Sequence, residues 1–197
     1  RGLGDVYKRQ VANNTGVSNI GIGSYALLNN SSGGGNVGIG YQALQSNATG
    51  SNSVAVGYQT LYNTTGDNNT AVGVQAGYTN TSGVRNTFLG RQAGYGTTTA
   101  SELVAVGNAA LYSNTIGAYD TAIGYASLYS NTTGSYNTAV GYYALYANTT
   151  GVNNTAVGYQ AAYNTKGNEN NVFGWGALYA NTTGQYNCAF GSRDYTY

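Results

Sequence analysis

The sequence predicts an all-β chain: a parallel β-solenoid, or β-roll, of about eleven coils of 16–17 residues. Three observations carry this. One short motif recurs along the chain, its copies keep phase, and each copy joins a strand-like stretch to a turn-like one. The consensus is N-T-A-V-G-Y-Q-A-L-Y-x-N-T-T-G-x-x, anchored on Gly23, Gly40, Gly57, Gly73, Gly90, Gly107, Gly124, Gly141, Gly158, Gly174 and Gly191. The anchors are 17 residues apart, shortened to 16 twice, before Gly73 and before Gly174. A fixed short period describes identical units stacked so that each touches mainly its neighbours.

Each element follows from its residues. In N-T-A-V-G, as at 137–141, Thr, Ala and Val suit a short strand bounded by Asn and Gly. Thr138 and Val140 share one face, Ala139 and Gly141 the other. The next stretch, Y-x-A-L-Y at 142–146, also alternates and reads as a second short strand. The N-T-T-G stretch at 148–152 is turn chemistry: Asn and Thr bond nearby backbone, and Gly accepts positive φ. A helix is excluded because Gly and Asn recur every few residues and no 3.6-residue apolar stripe lasts. The two 16-residue coils read as losing a residue just before the turn, at Tyr62-Asn63 and Tyr163-Asn164. Stacked at strand spacing, eleven coils make a rod roughly 50 Å long.

Stacking turns each phase of the repeat into a ladder. A valine and isoleucine ladder, with Ile22, Val56, Val140 and Val157, reads as the core. On that reading Val140→Asp unfolds neighbouring coils, whereas Thr149→Ala hardly matters. A leucine ladder includes Leu44, Leu111 and Leu145. Amides of an asparagine ladder, Asn114, Asn131, Asn148 and Asn181, can bond from coil to coil. Tyr62, Tyr78, Tyr95, Tyr112, Tyr129, Tyr146, Tyr163 and Tyr179 form a tyrosine ladder. A shorter one runs through Tyr41, Tyr58, Tyr125, Tyr142 and Tyr159 to Trp175. A 17-residue coil has a thin core, and apolar side chains on both strand faces point to a second packing surface, most simply a partner chain.

Composition narrows the function. Charged residues are 7% of the 197 and the net charge is +1, so no basic field exists to hold nucleic acid or an anionic membrane. Apolar residues are 41%, recur at fixed phase and are not interrupted by proline, which argues against disorder. No apolar run is long enough to cross a membrane as a helix. Histidine is absent and carboxylates are unpaired in sequence, with Asp67 and Asp120 at different phases. No enzyme activity, cofactor or metal is therefore expected. G-G-G-N at 33–36 lacks the Asp of a calcium-binding β-roll, and the G-x-G pairs lack the follow-up of nucleotide loops. Cys188, the single cysteine, excludes an intrachain disulfide and reads as a small core or edge residue. Asn-x-Thr sequons at Asn63, Asn131, Asn148 and Asn181 read as turn residues.

The domain reading is one array. Residues 1–10, RGLGDVYKRQ, hold three of the seven basic residues and do not fit the frame, and the string resembles a translated adapter sequence. Residues 11–191 are read as the repeat array and 192–197 as the truncated end of a further coil. The chain lacks methionine, which fits a piece of a longer protein.

The stretch N-T-A-V-G-Y-Y-A-L-Y-A-N-T-T-G-V-N-N-T-A-V-G at 137–158 resembles repeats of bacterial and phage tail-fibre-domain proteins. It is also similar to the head repeat of trimeric autotransporter adhesins, to which S-V-A-V-G at 53–57 comes nearest. The resemblance covers nearly all of residues 11–191, and the coil here is longer than the adhesin's. It implies a left-handed roll, three chains around one axis, and an extracellular, cell-surface or virion-tail location. It implies a structural and adhesive fibre segment, a homotrimer that attaches to a host cell or substratum. The eight-tyrosine ladder is the candidate contact surface, for a host-surface glycan, a protein receptor or the partner chain. No nucleic acid or membrane contact is expected of this segment. The alternative is a monomeric solenoid that binds glycan or ice. For ice, the paired turn threonines, such as Thr132-Thr133 and Thr149-Thr150, lie on a turn rather than on a flat strand face.

Overall fold

A computed structural model describes residues 15–192. The segment read as foreign, 1–10, and the tail beyond 192 lie outside the described residues. Each copy of the motif contributes one three-residue strand: β1 (Ile20–Ile22), β2 (Val37–Ile39), β3 (Val54–Val56), β4 (Thr70–Val72), β5 (Thr87–Leu89), β6 (Val104–Val106), β7 (Thr121–Ile123), β8 (Thr138–Val140), β9 (Thr155–Val157), β10 (Asn171–Phe173) and β11 (Cys188–Phe190). They form one 11-stranded parallel sheet in chain order, so the chain is an all-β parallel solenoid. Equivalent residues pair on neighbouring strands, as Thr138 with Thr155, Ala139 with Ala156 and Val140 with Val157.

Three features differ from expectation. First, Y-x-A-L-Y is not a strand. At 142–146 the chain turns, with Tyr143 at φ 56° and Leu145 at φ 50°. Left-handed backbone costs a non-glycine residue about 1–2 kcal/mol. Two gains offset it here. The kinks send the adjacent side chains of Ala144 and Leu145 both into the core, which no strand could do. They also aim N–H groups at neighbouring coils: Tyr143 donates to the Tyr125 carbonyl at 3.0 Å and Leu145 to that of Ala161 at 3.0 Å. The backbone stays paired without a second sheet.

Second, the core lies on the other face of the strand. Ala139 is fully buried, while Thr138 and Val140 are half-buried; the buried middle residue recurs from β2 to β10, with its two neighbours half-buried or exposed. The interior is filled by the strand alanines, a second alanine row with Ala144 and Ala161, and the leucines. The coil is so narrow that alanine is the largest side chain most rungs admit on the strand's inner face. Val140 therefore does not belong to the core, and the expectation that Val140→Asp unfolds the coils is withdrawn.

Third, the shortened coils lose their residue inside the turn. Thr64 and Thr165 take the rung of the asparagine ladder, fully buried, and the chain reaches Gly66 and Gly167 one residue sooner. Asn80 donates its Nδ2 to Thr64 Oγ1 at 3.2 Å, which identifies the rung. Strand register passes through undisturbed, with Val54 opposite Thr70 and Thr155 opposite Asn171.

The asparagine ladder forms as expected. Asn131 Nδ2 donates to Asn114 Oδ1 at 3.2 Å and Asn148 Nδ2 to Asn131 Oδ1 at 3.4 Å. Each amide also closes its own turn, as Asn148 does with both the N–H and the carbonyl of Gly151. A second buried asparagine row stands immediately before the strands, with Asn36, Asn69, Asn86, Asn137, Asn154 and Asn170. Turn threonines add a third ladder, each hydroxyl donating to a carbonyl of the following coil, as Thr115 to Thr132 at 2.9 Å and Thr132 to Thr149 at 3.0 Å.

The anchoring glycine is required by geometry. Gly141 sits at φ 140°, and a Cβ there would collide with the Gly158 carbonyl of the next coil.

Candidate functional site

The eight tyrosines of the candidate contact surface come together. Each follows the left-handed leucine position, so the kink delivers one ring per coil to the same side. From Tyr62 to Tyr179 successive rings stack face to face, with centroids 5.0–5.4 Å apart and planes within 5–16°. This spacing is close to the strand spacing, so the rung repeat sets it. All eight are half-buried. Burial, and then the neighbouring tyrosines, raise the hydroxyl pKa of Tyr78, Tyr129 and Tyr163. The stacking decides what the row can do. Its ring faces lie against one another, so within the row only ring edges are left for a ligand. A sugar that needs an aromatic face finds those faces taken.

The second aromatic row is more exposed and interrupted. Tyr41 stacks on Tyr58, and Tyr125, Tyr142, Tyr159 and Trp175 stack in series. Val74, Arg91 and Asn108 stand in the gap between the two groups. Tyr143 bridges the two rows edge-on, at 4.3 Å from Tyr142 and 4.9 Å from Tyr146.

A third surface is one that hydrophobicity alone assigns to the interior. The outward side of the sheet carries two rows of side chains running along the rod. One has Val37, Val54, Thr70, Thr87, Val104, Thr121, Thr138 and Thr155 in register. The other has Ile22, Ile39, Val56, Val72, Leu89, Val106, Ile123, Val140, Val157, Phe173 and Phe190. Ile22 is 46% exposed, Val72 41% and Ile123 40%, although they are large and apolar. No charged residue interrupts either row. The strand threonines were missed as surface candidates because the turn threonines drew attention. The T-x-V alternation, read with Ala inward, would have found them.

Other candidates resolve simply. Cys188 is exposed on β11, the last strand of the sheet, so it is an edge residue and not a core one. The sequon asparagines Asn131 and Asn148 are fully buried. Arg85 and Glu102 form an exposed ion pair at 2.6 Å. Among the described residues no group of three or more Cys, Asp or Glu is placed to hold a metal ion, and no helix is long and apolar enough to cross a membrane. No family model, no curated protein and no solved structure matches the chain.

Proposed function

We propose that this chain is a structural and adhesive rod segment of an extracellular surface fibre, of the tail-fibre or trimeric-adhesin kind. It assembles as a homotrimer and holds a recognition end away from a cell or particle. The observation that carries the reading is the outward face of the sheet: two charge-free rows of Val, Ile and Thr that extend along the whole rod. Contiguous exposed apolar surface on this scale marks an interaction site. Rows in unbroken register suit a second copy of themselves, because every rung then finds an equivalent rung. The repeat resemblance at 137–158 favours three copies and a left-handed winding. With the sheet face turned to the partners, the tyrosine row is left to contact a glycan or protein receptor, through ring edges. Light scattering on a sizing column tests the assembly. The reading expects a mass three times the 20.3 kDa chain; a clean monomer removes it.

One observation favours a second reading, a monomeric ice-binding solenoid. Thr70, Thr87, Thr121, Thr138 and Thr155 lie on the outward strand face and not on the turn. Each is two residues from a Val, Ile or Leu of the parallel row. The side chains are predominantly β-branched and stiff at χ1, so together they present a fixed two-dimensional lattice of methyls and hydroxyls. The two readings use one surface and exclude each other. A monomer that shows thermal hysteresis and shapes ice crystals supports the second; a trimer without hysteresis supports the first.

A further inference from the structure

Asp120 occupies a rung that asparagine holds elsewhere. It stands, fully buried, in the row before the strands, with Leu103 on the rung before it and Asn137 on the rung after. An asparagine in that row makes two regular links, through its Oδ1 and to the following turn, and at Asn154 and Asn170 a third, back to the previous rung. Its Oδ1 accepts the N–H of the next rung, as Asn137 does from Asn154 at 3.0 Å and Asn154 from Asn170 at 3.0 Å. Its Nδ2 reaches back to the previous Oδ1, as from Asn170 to Asn154 at 2.9 Å. Its Nδ2 also donates to a turn carbonyl of the following coil, as Asn137 to Gly151 at 2.9 Å and Asn154 to Gly167 at 2.9 Å.

At Leu103 and Asp120 this pattern fails twice in succession. Leu103 offers no side-chain acceptor to the N–H of Asp120. Asp120 has no amide with which to reach back or to reach the turn. It only accepts: from Asn137 N at 2.8 Å, from Asn137 Nδ2 at 3.1 Å and from Asn131 Nδ2 at 3.0 Å. Its neighbours Leu103, Asn131 and Asn137 are all neutral, and Glu102, beside Leu103 in sequence, is paired with Arg85 at the surface. A carboxylate here is a buried charge with no cation to meet it.

We propose that the junction between the Leu103 and Asp120 rungs is a pH-responsive joint of the rod, closed while the Asp120 carboxyl holds its proton and loosened when it ionises. The protonated acid regains one donor in the slot where asparagine has its Nδ2. The direction of the shift agrees. Burial pushes the Asp120 pKa up from 3.8 to about 7, against the lowering effect of the bonds from Asn137 and Asn131. The folded pKa is raised above the unfolded one. The carboxyl's contribution to stability is therefore full below the unfolded value, declines above it, and is lost as pH rises through about 7. The rod is tightest in acid and weakest at this joint in mild alkali.

Amide hydrogen exchange by mass spectrometry tests this on the full chain and on Asp120→Asn, at about pH 5.5 and about pH 8.5, corrected for intrinsic exchange rates. In the parent, segment 103–123 is expected to lose protection by about tenfold or more relative to segment 137–157 at the higher pH. In Asp120→Asn the two segments respond alike, because the asparagine carries a neutral amide donor at any pH and no carboxyl that titrates. An equal local loss in the variant overturns the proposal, and so does a parent in which the two segments respond alike.

Discussion

The Phe88 ring fills the space that a side chain on Gly94 would occupy: a Cβ built on Gly94 collides with that ring. Gly77, on the preceding coil, makes the same room, with its Cβ position 2.6 Å from Phe88 Cδ2. Both glycines sit where the consensus has leucine, and both keep the left-handed backbone of that position, at φ 61°. Phe88 sits where the consensus has alanine. One large residue on the strand has replaced two leucines on the turn, and the interior stays filled.

Compensation of this kind predicts non-additive mutants. Phe88→Ala leaves a cavity and costs about 3–5 kcal/mol. Gly94→Leu alone overpacks against the ring and destabilises by about 1–3 kcal/mol. Phe88→Ala combined with Gly77→Leu and Gly94→Leu rebuilds the consensus rung and recovers most of the loss, a coupling that denaturant melts of the single and combined variants measure directly.

The asparagine ladder couples to turn length. Asn148→Ala strands the N–H of Gly151 in the interior, while the Gly151 carbonyl keeps its bond from Asn137, and costs about 1–3 kcal/mol. Asn148→Thr is also destabilising: Thr97 holds this rung in a full-length turn and its buried Oγ1 has no hydrogen-bond partner, whereas the turns at Thr64 and Thr165 are one residue shorter. Deleting Thr149 together with Asn148→Thr recreates that short turn. The double change is expected to melt above Asn148→Thr alone; a lower melting temperature would show that the rung does not set the length.

The tyrosine stack makes the rod sensitive to alkali. Tyr78, Tyr129 and Tyr163 have hydroxyl pKa values raised first by burial and then by neighbouring tyrosines. Raised folded values mean a stabilising contribution that is complete below the unfolded pKa and disappears as pH rises through the folded one. Ultraviolet titration of the phenolate band should therefore show a late group of tyrosines whose ionisation coincides with loss of β-structure. Tyr129→Phe removes one ionisation from the middle of the stack and shifts that loss to higher pH. A titration with every tyrosine at its ordinary value would contradict the stack.

Much of this fold is legible in the period. The anchoring glycine, the T-A-V strand, the N-T-T-G turn and the asparagine rung at Asn131 and Asn148 each follow from residue chemistry at a fixed phase. The polarity of the strand was not legible in the same way. Thr138 and Val140 are better β-formers than Ala139, and hydrophobicity alone sends Val inward. What reverses it is the width of the coil, which is a property of the closed turn and not of any one residue. The kink at Tyr143 and Leu145 was hidden because Y-x-A-L-Y alternates like a strand, although two adjacent apolar residues of which neither faces out are its trace. The tyrosine row was legible as a row, but that its faces are consumed by stacking depends on the rung spacing. Asp120 passed as an isolated carboxylate, although aligning its phase with Asn137 places it on a buried rung.

The inside-outside polarity of the strand underlies both the proposed assembly and the mutational expectations, and far-UV circular dichroism of Ala139→Asp and Val140→Asp, side by side, tests it most directly. Ala139→Asp puts an unpaired charge in the fully buried row and is expected to lose the β-signal of its coils. Val140→Asp places the charge on the outward face and is expected to keep the parent spectrum while losing self-association. A folded Ala139→Asp beside an unfolded Val140→Asp would put the valine row back inside and contradict the account.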